Sequence, residues 1–203
     1  AERGLLRDLA GSFSQEAART GKNWSQRRVA DLADVVEQFE AAAAALGFQP
    51  GSGQTQPGPE LRLRDSRIDN CDLSSVNIRW PVRLEHCLWT GPAVFVGVGF
   101  RARVSFLGST FCGDAMFFAA TFEGQAFFGG VNFCGAADFR GATFAHEVNF
   151  FGANFRQSLE LRFATLEDSS VLNIQELRFM GSTALGGSLH LHLGQIRTGR
   201  WPR

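Results

Sequence analysis

The sequence predicts a mainly β fold, a short-period solenoid preceded by a helical segment, and three regularities support this prediction. Twelve phenylalanines recur at alternating separations of six and five residues. The residue two before each of them is small, and residues i and i−2 of an extended segment share one side. The same spacing continues in both directions with aliphatic residues or tryptophan as centres. The twelve phenylalanines are Phe95, Phe100, Phe106, Phe111, Phe117, Phe122, Phe128, Phe133, Phe139, Phe144, Phe150 and Phe155.

The further centres are Leu63, Ile68, Leu73, Ile78, Leu84 and Trp89 upstream, and Leu161, Leu166, Leu172 and Leu177 downstream. One extra residue falls after every second unit, the last of them at Ser169, so the true period is eleven. A unit this short cannot hold a helix or an ordinary hairpin, and successive units must therefore wind. If four units close one coil, a coil takes about 22 residues and the repeats make roughly five and a half coils.

Several units carry a common pattern of a small residue, a polar residue, phenylalanine, any residue and glycine. They are Ser109–Gly113, Ala120–Gly124, Val131–Gly135 and Ala137–Gly141. This pattern resembles the pentapeptide-repeat family, in its phenylalanine-centred variety with an eleven-residue double unit. The resemblance implies a right-handed quadrilateral β-helix over residues 61–179, with i and i−2 inside and i−1, i+1 and i+2 outside.

Residues 1–48 are predicted to form a helical hairpin or cap. Apolar spacing predicts one helix over residues 2–18 and a second with Ser25 as N-cap and Gly47 after its C-cap. The stripe of the second helix fits a hairpin packed on itself or on the solenoid, and it also fits a dimerising coiled coil. The stripe consists of Val29, Leu32, Val36, Phe39, Ala43 and Leu46.

Residues 49–60 are a proline- and glycine-rich linker by composition. Residues 180–203 are expected to hold a C-terminal cap strand and tail, with the alternating run Leu189–Leu193 as an edge strand. Because an exposed coil end presents unpaired strand edges, we expect the helices or this tail to cap the solenoid.

Composition gives no reason to expect several classes of partner. The chain has 20 basic and 20 acidic residues, which gives no electrostatic reason to expect nucleic acid or an acidic membrane surface. There is no apolar run long enough to span a membrane and no signal-peptide pattern. The chain begins at Ala1 without methionine, which is compatible with an upstream segment.

The four cysteines follow neither a redox nor a zinc spacing, and a reducing cytoplasm is the predicted location. Cys71 and Cys87 fall at small inward positions. Cys112 and Cys134 share an outward column and are expected two coils apart, about 10 Å, which is too far for a disulfide.

The sequence contains no nucleophile elbow, phosphate loop or paired catalytic carboxylates, so neither an enzyme nor a cofactor is predicted. His190 and His192 alternate in sequence and would leave one face of a strand, which makes them a possible half of a metal site. Metal binding is therefore an alternative function. The competing interpretation is that both are surface histidines with no ligand.

Apolar residues at outward positions are the main candidates for function, since large exposed apolar patches mark interaction sites. With four units per coil, Val94, Val96, Met116 and Phe118 cluster on one side of the solenoid. The opposite side carries the three residues Leu107, Phe127 and Phe151. We expect the helices to cover one patch and the other to serve a protein partner or self-association, with a homodimer as one form. The predicted function is a non-catalytic interaction or scaffold module.

A DNA mimic is the other alternative, because the resemblance implies that some family members imitate duplex DNA and bind type II topoisomerases. Such mimicry depends on a dense negative charge. Residues 61–179 contain 12 acidic residues and 11 arginines, a net charge of −1. The charge balance therefore disfavours this function.

Overall fold

A computed structural model describes residues 28–49, 59–167, 170–179 and 196–197. Within these residues, one helix, α1 (Leu32–Ala45), lies among many short strands. In chain order the strands are β1 (Arg28–Asp31), β2 (Leu61–Arg64), β3 (Arg67–Asp72), β4 (Asn77–Ile78), β5 (Val82–Glu85), β6 (Leu88–Trp89), β7 (Ala93–Val94), β8 (Gly99–Phe100), β9 (Val104–Ser105), β10 (Thr110–Phe111), β11 (Ala115–Met116), β12 (Thr121–Phe122), β13 (Ala126–Phe127), β14 (Asn132–Phe133), β15 (Ala137–Asp138), β16 (Thr143–Phe144), β17 (Val148–Asn149), β18 (Asn154–Phe155), β19 (Leu159–Glu160), β20 (Thr165–Leu166), β21 (Leu172–Asn173), β22 (Arg178–Phe179) and β23 (Ile196–Arg197).

The described strands form a parallel β-solenoid in which the chain visits four ladders in turn. Ladder 1 contains the end of β3 followed by β7, β11, β15 and β19. Ladder 2 contains β4, β8, β12, β16 and β20. Ladder 3 contains β2, β5, β9, β13, β17, β21 and β23. Ladder 4 contains β1, β3, β6, β10, β14, β18 and β22.

Register confirms the predicted length of a coil. Phe100 pairs with Phe122, and Phe122 pairs with Phe144, so paired residues are 22 apart through the central coils. Each coil is bonded to the next by its backbone, as in the 2.7 Å bond that the Phe95 N–H donates to the Met116 carbonyl. Successive turns therefore stack in register and hold outward residues in straight columns.

The predicted register is wrong in the last coil. Leu172 pairs with Val148, which is an i−2 position, so the centre of that unit is Ile174 and not Leu172. Phe179 pairs with Phe155 and takes the place that was predicted for Leu177. Both pairs are 24 residues apart because the last coil contains two residues more than the central coils.

The core is a set of stacked rings. Phe95, Phe117 and Phe139 lie one above another with centroids 4.7 Å apart and planes 5° apart. Neighbouring stacks meet edge to face, as Phe117 and Phe128 do at 5.4 Å. The small residues at i−2 are fully buried beside the rings, which leaves a dry interior.

Trp89 differs from the phenylalanines in carrying a polar atom into this interior. Its ring stacks on Phe111 with centroids 4.9 Å apart, and its side chain is only 1% exposed. The indole Nε1–H finds no acceptor among the described residues. Within the described residues this donor is buried without an acceptor, which carries a desolvation cost.

Two kinds of corner connect the strands, and glycine serves a different purpose in each. After ladders 1 and 3 the i+2 residue has a positive φ, as Gly130 does at +63°. After ladders 2 and 4 the glycine makes room for the neighbouring coil, since a Cβ at Gly124 would lie 2.4 Å from the carbonyl carbon of Ala102. The first kind of corner needs backbone freedom and the second needs space.

The N-terminal segment differs from its prediction. Residues 28–31 form strand β1, which pairs with β3, so the helix does not begin near Ser25. Helix α1 begins after Asp31, whose carboxylate accepts a 2.9 Å hydrogen bond from the Ala33 N–H. Gly47 follows the C-cap with φ +76°, as predicted. The predicted helix over residues 2–18 lies outside the described residues.

Helix α1 packs against the first coil. Leu32 and Val36 are buried in the same cluster as the solenoid core. In the middle of the helix, Phe39 meets Trp80 edge to face, and Glu40 accepts hydrogen bonds from Arg79 at 2.9 Å and from the Trp80 indole at 3.2 Å. Leu32 and Val36 of the predicted stripe are thus buried within the chain, whereas Leu46 at the end of the stripe is 75% exposed.

The C-terminal prediction is tested only in part. The run Leu189–Leu193, with His190 and His192, lies outside the described residues. Strand β23 pairs with β21 and extends ladder 3 by one further strand. In the part of the chain that the structure describes, no helix has the length and apolar character needed to cross a membrane.

Candidate interaction surface

The four apolar residues predicted on one side of the solenoid all lie on ladder 1. Val94 and Met116 are directly paired in β7 and β11, and Val96 and Phe118 follow them by two residues. Phe118 is 45% exposed, whereas the other three are half-buried. These four residues form the ladder 1 apolar surface.

Charged pairs border the ladder 1 apolar surface. Arg140 bonds to Asp138 at 2.6 Å, and its guanidinium lies 5.6 Å from the centroid of the Phe118 ring. In the next coil Arg162 bonds to Glu160 at 3.0 Å. Burial alone would raise the pKa of Asp138, but the hydrogen bonds from Arg140 lower it below the ordinary value. The carboxylate is therefore held in its charged form beside the apolar residues.

The other three predicted residues lie on ladder 3 and form the ladder 3 apolar surface. Leu107 is 42% exposed and Phe151 is 43% exposed, in coils that are separated by one other coil. Phe127, in the coil between them, is half-buried, and the Arg103 guanidinium lies over its ring at 4.5 Å from the centroid. The structure thus brings these residues together over three successive coils.

Gly129 separates Leu107 from Phe151 in the outward column. The Gly108 N–H donates to the Gly129 carbonyl, and the Gly130 N–H donates to the Phe151 carbonyl. A Cβ at Gly129 would lie 3.1 Å from Leu107 Cδ1 and 3.6 Å from the Phe151 carbonyl oxygen. The Leu107 side chain therefore lies close over Gly129, which is buried between the two apolar residues.

The ladder 3 surface has uncharged residues at its outward positions over a longer stretch than the ladder 1 surface, although the Arg103 guanidinium lies over the Phe127 ring. On ladder 3, the outward positions directly before and after each inward centre carry no charged side chain between Leu107 and Gln175. These positions are occupied by Leu107, Phe127, Gly129, Asn149, Phe151, Asn173 and Gln175. Depletion of charge combined with aromatic residues is typical of the centre of a protein interface.

Polar residues at the i−1 position have a local structural role. The Asn149 side-chain oxygen accepts a 2.8 Å bond from the Phe151 N–H, and the Asn173 oxygen accepts one of 3.1 Å from the Gln175 N–H. Asp138 does the same for the Arg140 N–H at 3.0 Å. Phe127 and Met116 hold the same position but have no oxygen to offer. An apolar residue there gives up a stabilising local bond.

The expectation that the helices cover one apolar surface is not met by α1. The helix lies against the first coil and contacts β1 and β3. Phe118, Leu107 and Phe151 all remain more than two-fifths exposed. Both apolar surfaces are therefore accessible within the described residues.

Phe163 is an exposed aromatic residue that sequence reasoning missed. It is 62% exposed and has φ +60° at the corner after ladder 1, where the equivalent residue one coil earlier is Gly141. The signal was available, because a phenylalanine replaces glycine at an i+2 position. The i+2 positions mostly carry glycine, so the repeat pattern assigns them to turns and not to an exposed apolar surface.

The cysteines are partly as predicted. Cys71 and Cys87 are buried, and burial raises the pKa of the Cys71 thiol. The predicted separation of Cys112 and Cys134 is wrong. β10 and β14 are directly paired, so the two residues that follow these strands lie in adjacent coils and not two coils apart.

The described residues contain no group of three or more histidine, cysteine or acidic side chains that could hold a metal ion. His190 and His192 lie outside this part of the chain, so the metal hypothesis is not tested. Comparison of the chain with family models, with curated proteins and with solved structures gave no match.

Proposed function

We propose that the chain is a pentapeptide-repeat protein with a right-handed quadrilateral β-helix, and that it acts as a non-catalytic interaction module. Its binding site is the ladder 3 apolar surface, made by Leu107, Phe127 and Phe151. The observation that carries this proposal is the stretch of uncharged outward positions on ladder 3, three of which are apolar. The repeat pattern and the four parallel ladders support the family and the shape.

Exposed apolar residues at these positions are not required by the fold. The positions equivalent to Phe127 in other coils hold Ser105, Asn149 and Asn173, and each of these accepts a hydrogen bond from the backbone N–H two residues on. Phe127 forgoes such a bond, and Leu107 and Phe151 leave apolar area in water. A binding partner that buries this area would offset both costs.

The size of the surface limits the kind of complex. Three coils span about 10 Å along the solenoid axis, whereas a standard interface buries about 800 Å² on each partner. The apolar residues can therefore form only the centre of an interface. Asn149, Asn173 and Gln175 extend the same surface and supply the polar rim that such interfaces have.

The ladder 1 surface is the weaker candidate. Its apolar residues are bordered by the Asp138–Arg140 and Glu160–Arg162 pairs, which a partner would have to desolvate or match. The same pairs argue against a DNA mimic. Arginines interleaved with carboxylates along the ladders give alternating charge, whereas mimicry of a duplex requires continuous negative charge. A gyrase supercoiling assay with no inhibition at micromolar protein would exclude that alternative.

The proposal is tested by photo-cross-linking in cells that naturally make the chain. A benzophenone amino acid replaces Leu107, Phe151 or, as a control, the outward Thr143 on ladder 2. We expect one protein to be captured from both ladder 3 positions and not from position 143, and the capture from 107 to be lost when Phe151→Asp is added. No adduct, or the same adduct from all three positions, would overturn the proposal.

Light scattering on the purified chain distinguishes the two classes of partner. If the captured protein is a second copy, the wild-type molar mass is that of a dimer and the double variant Leu107→Asp/Phe151→Asp is a folded monomer. If the captured protein is different, the wild type is a monomer. A dimer that the double variant does not change would place self-association elsewhere and remove ladder 3 from consideration as a self-association surface.

A further inference from the structure

The two outward cysteines lie next to each other on ladder 4. Thr110 pairs with Asn132 and Phe111 pairs with Phe133, so Cys112 and Cys134 are the next residues of two paired strands. The Cys134 N–H donates a 2.8 Å bond to the Phe111 carbonyl, which fixes their relative position. Both are thiols and both are half-buried, in contrast to the buried Cys71 and Cys87.

The spacing of parallel strands brings the two thiols within reach of each other. Neighbouring strands lie about 4.8 Å apart, which falls inside the Cα separation of about 4.4–6.8 Å that disulfides adopt. Because residues in register are related by translation, their Cβ atoms are also about 4.8 Å apart, slightly beyond the usual 3.5–4.5 Å. Closure therefore requires a small local contraction between two coils.

We propose that Cys112 and Cys134 form a reversible disulfide that staples two successive coils of ladder 4 when the chain meets a small-molecule disulfide. The thiolate of one cysteine attacks the reagent, forms a mixed disulfide and releases one thiol. The second cysteine then attacks the protein sulfur of that mixed disulfide and releases the second thiol. Two protein thiols are oxidised and one reagent disulfide is reduced to two thiols.

The geometry also determines how stable the bond is. A disulfide that must pull its Cβ atoms together stores strain and is more easily reduced than a relaxed structural one. The bond would thus form under an oxidising glutathione pool and open under a reducing one. It would not replace the stacked core as the source of stability, because the coils are already held by their own hydrogen bonds and rings.

The experiment uses the full chain and glutathione disulfide, followed by native alkylation with N-ethylmaleimide and mass spectrometry. Before oxidation, we expect two thiols to be alkylated, Cys112 and Cys134. After oxidation, we expect neither to be alkylated, the mass to fall by two hydrogens, and a peptide linking the two cysteines to appear. Reduced glutathione should restore both thiols.

Two variants provide the controls. Cys112→Ser should give a glutathione adduct on Cys134, in which a glutathionyl group replaces the thiol hydrogen and the two-hydrogen loss of an internal disulfide is not seen, because the resolving thiol is absent. Cys71→Ala should oxidise like the wild type, since alanine is already found at equivalent inward positions such as Ala93. Wild-type chain that carries two glutathione adducts, forms only intermolecular disulfides, or stays unoxidised would overturn the proposal.

Discussion

Replacing Phe128 with alanine would remove a ring that lies between two others in the core. Phe128 stacks on Phe106 at 5.2 Å and on Phe150 at 4.9 Å, and it meets Phe139 edge to face at 5.3 Å. The side chain is fully buried. A Phe→Ala change in a core costs about 3–5 kcal/mol, and each aromatic pair adds about 0.5–1.5 kcal/mol beyond area burial.

We therefore expect Phe128→Ala to lower the free energy of unfolding by about 5 kcal/mol, close to the whole stability of an ordinary domain. The matched control is Phe151→Ala, which removes the same ring from an outward position that is 43% exposed and should cost about 1 kcal/mol or less. Phe128→Leu tests shape, because leucine is the centre at Leu161 and Leu166, and should cost about 1–1.5 kcal/mol.

The assay is urea unfolding followed by circular dichroism, with linear extrapolation to water. An equal cost for Phe128→Ala and Phe151→Ala would refute the assignment of inward and outward positions. A cost below about 1 kcal/mol for Phe128→Ala would refute the stacked core itself, since no surrounding side chain could collapse into such a void without moving a coil.

Three further predictions concern single residues. Trp89→Phe should leave the free energy of unfolding within about 1 kcal/mol of wild type, because the cost of the lost volume is offset by removal of the unsatisfied indole donor. A loss above about 2 kcal/mol would mean that the indole N–H has a hydrogen-bond partner. Phe163→Gly should stabilise by about 0.5–1 kcal/mol in the same assay, because it relieves the φ of +60° at an exposed corner, and destabilisation would mean that the ring packs. Although burial would raise the pKa of Asp69, hydrogen bonds from Arg28, Arg67 and Thr90 lower it below its ordinary value of 3.8. The contribution of the charged Asp69 to the free energy of unfolding is therefore complete above about pH 4 and is lost as pH falls through the lowered pKa. Asp69→Asn should flatten the dependence of the free energy of unfolding on pH in that range. An unchanged pH dependence would contradict the stabilising role of these hydrogen bonds to Asp69.

Much of the fold could be predicted because every inward position must hold an apolar side chain that fills the interior. A large and a small apolar residue must alternate in every unit, and phenylalanine marks the large one without ambiguity from Phe95 to Phe155. The coil length and the pairing of Phe100 with Phe122 follow from that spacing. The first strand was missed for a related reason, because Val29 and Leu32 fit a helical stripe as well as a strand followed by a helix.

The separation of Cys112 and Cys134 was mispredicted although the repeat contained the answer. With four units per coil, residues 22 apart belong to adjacent coils. The outward columns themselves were predicted well, since Val94 and Met116 do pair. What sequence could not supply was the exposure of each side chain, because Arg103 over Phe127 and Arg140 near Phe118 are contacts between neighbouring coils.

The last coil shows where a pattern of apolar residues stops determining register. Leu172 and Ile174 are two residues apart and share the inward side of a strand, so either can be the centre when phenylalanine is absent. Which of the two residues is the centre determines which side chains of this coil face solvent. With Leu172 as centre, Val171 would be an outward residue of ladder 3; with Ile174 as centre, Asn173 and Gln175 take the outward positions, and the Asn173 side chain accepts the Gln175 N–H at 3.1 Å. The neutral polar residues that extend the proposed interface beyond Phe151 thus follow from the two additional residues of that coil.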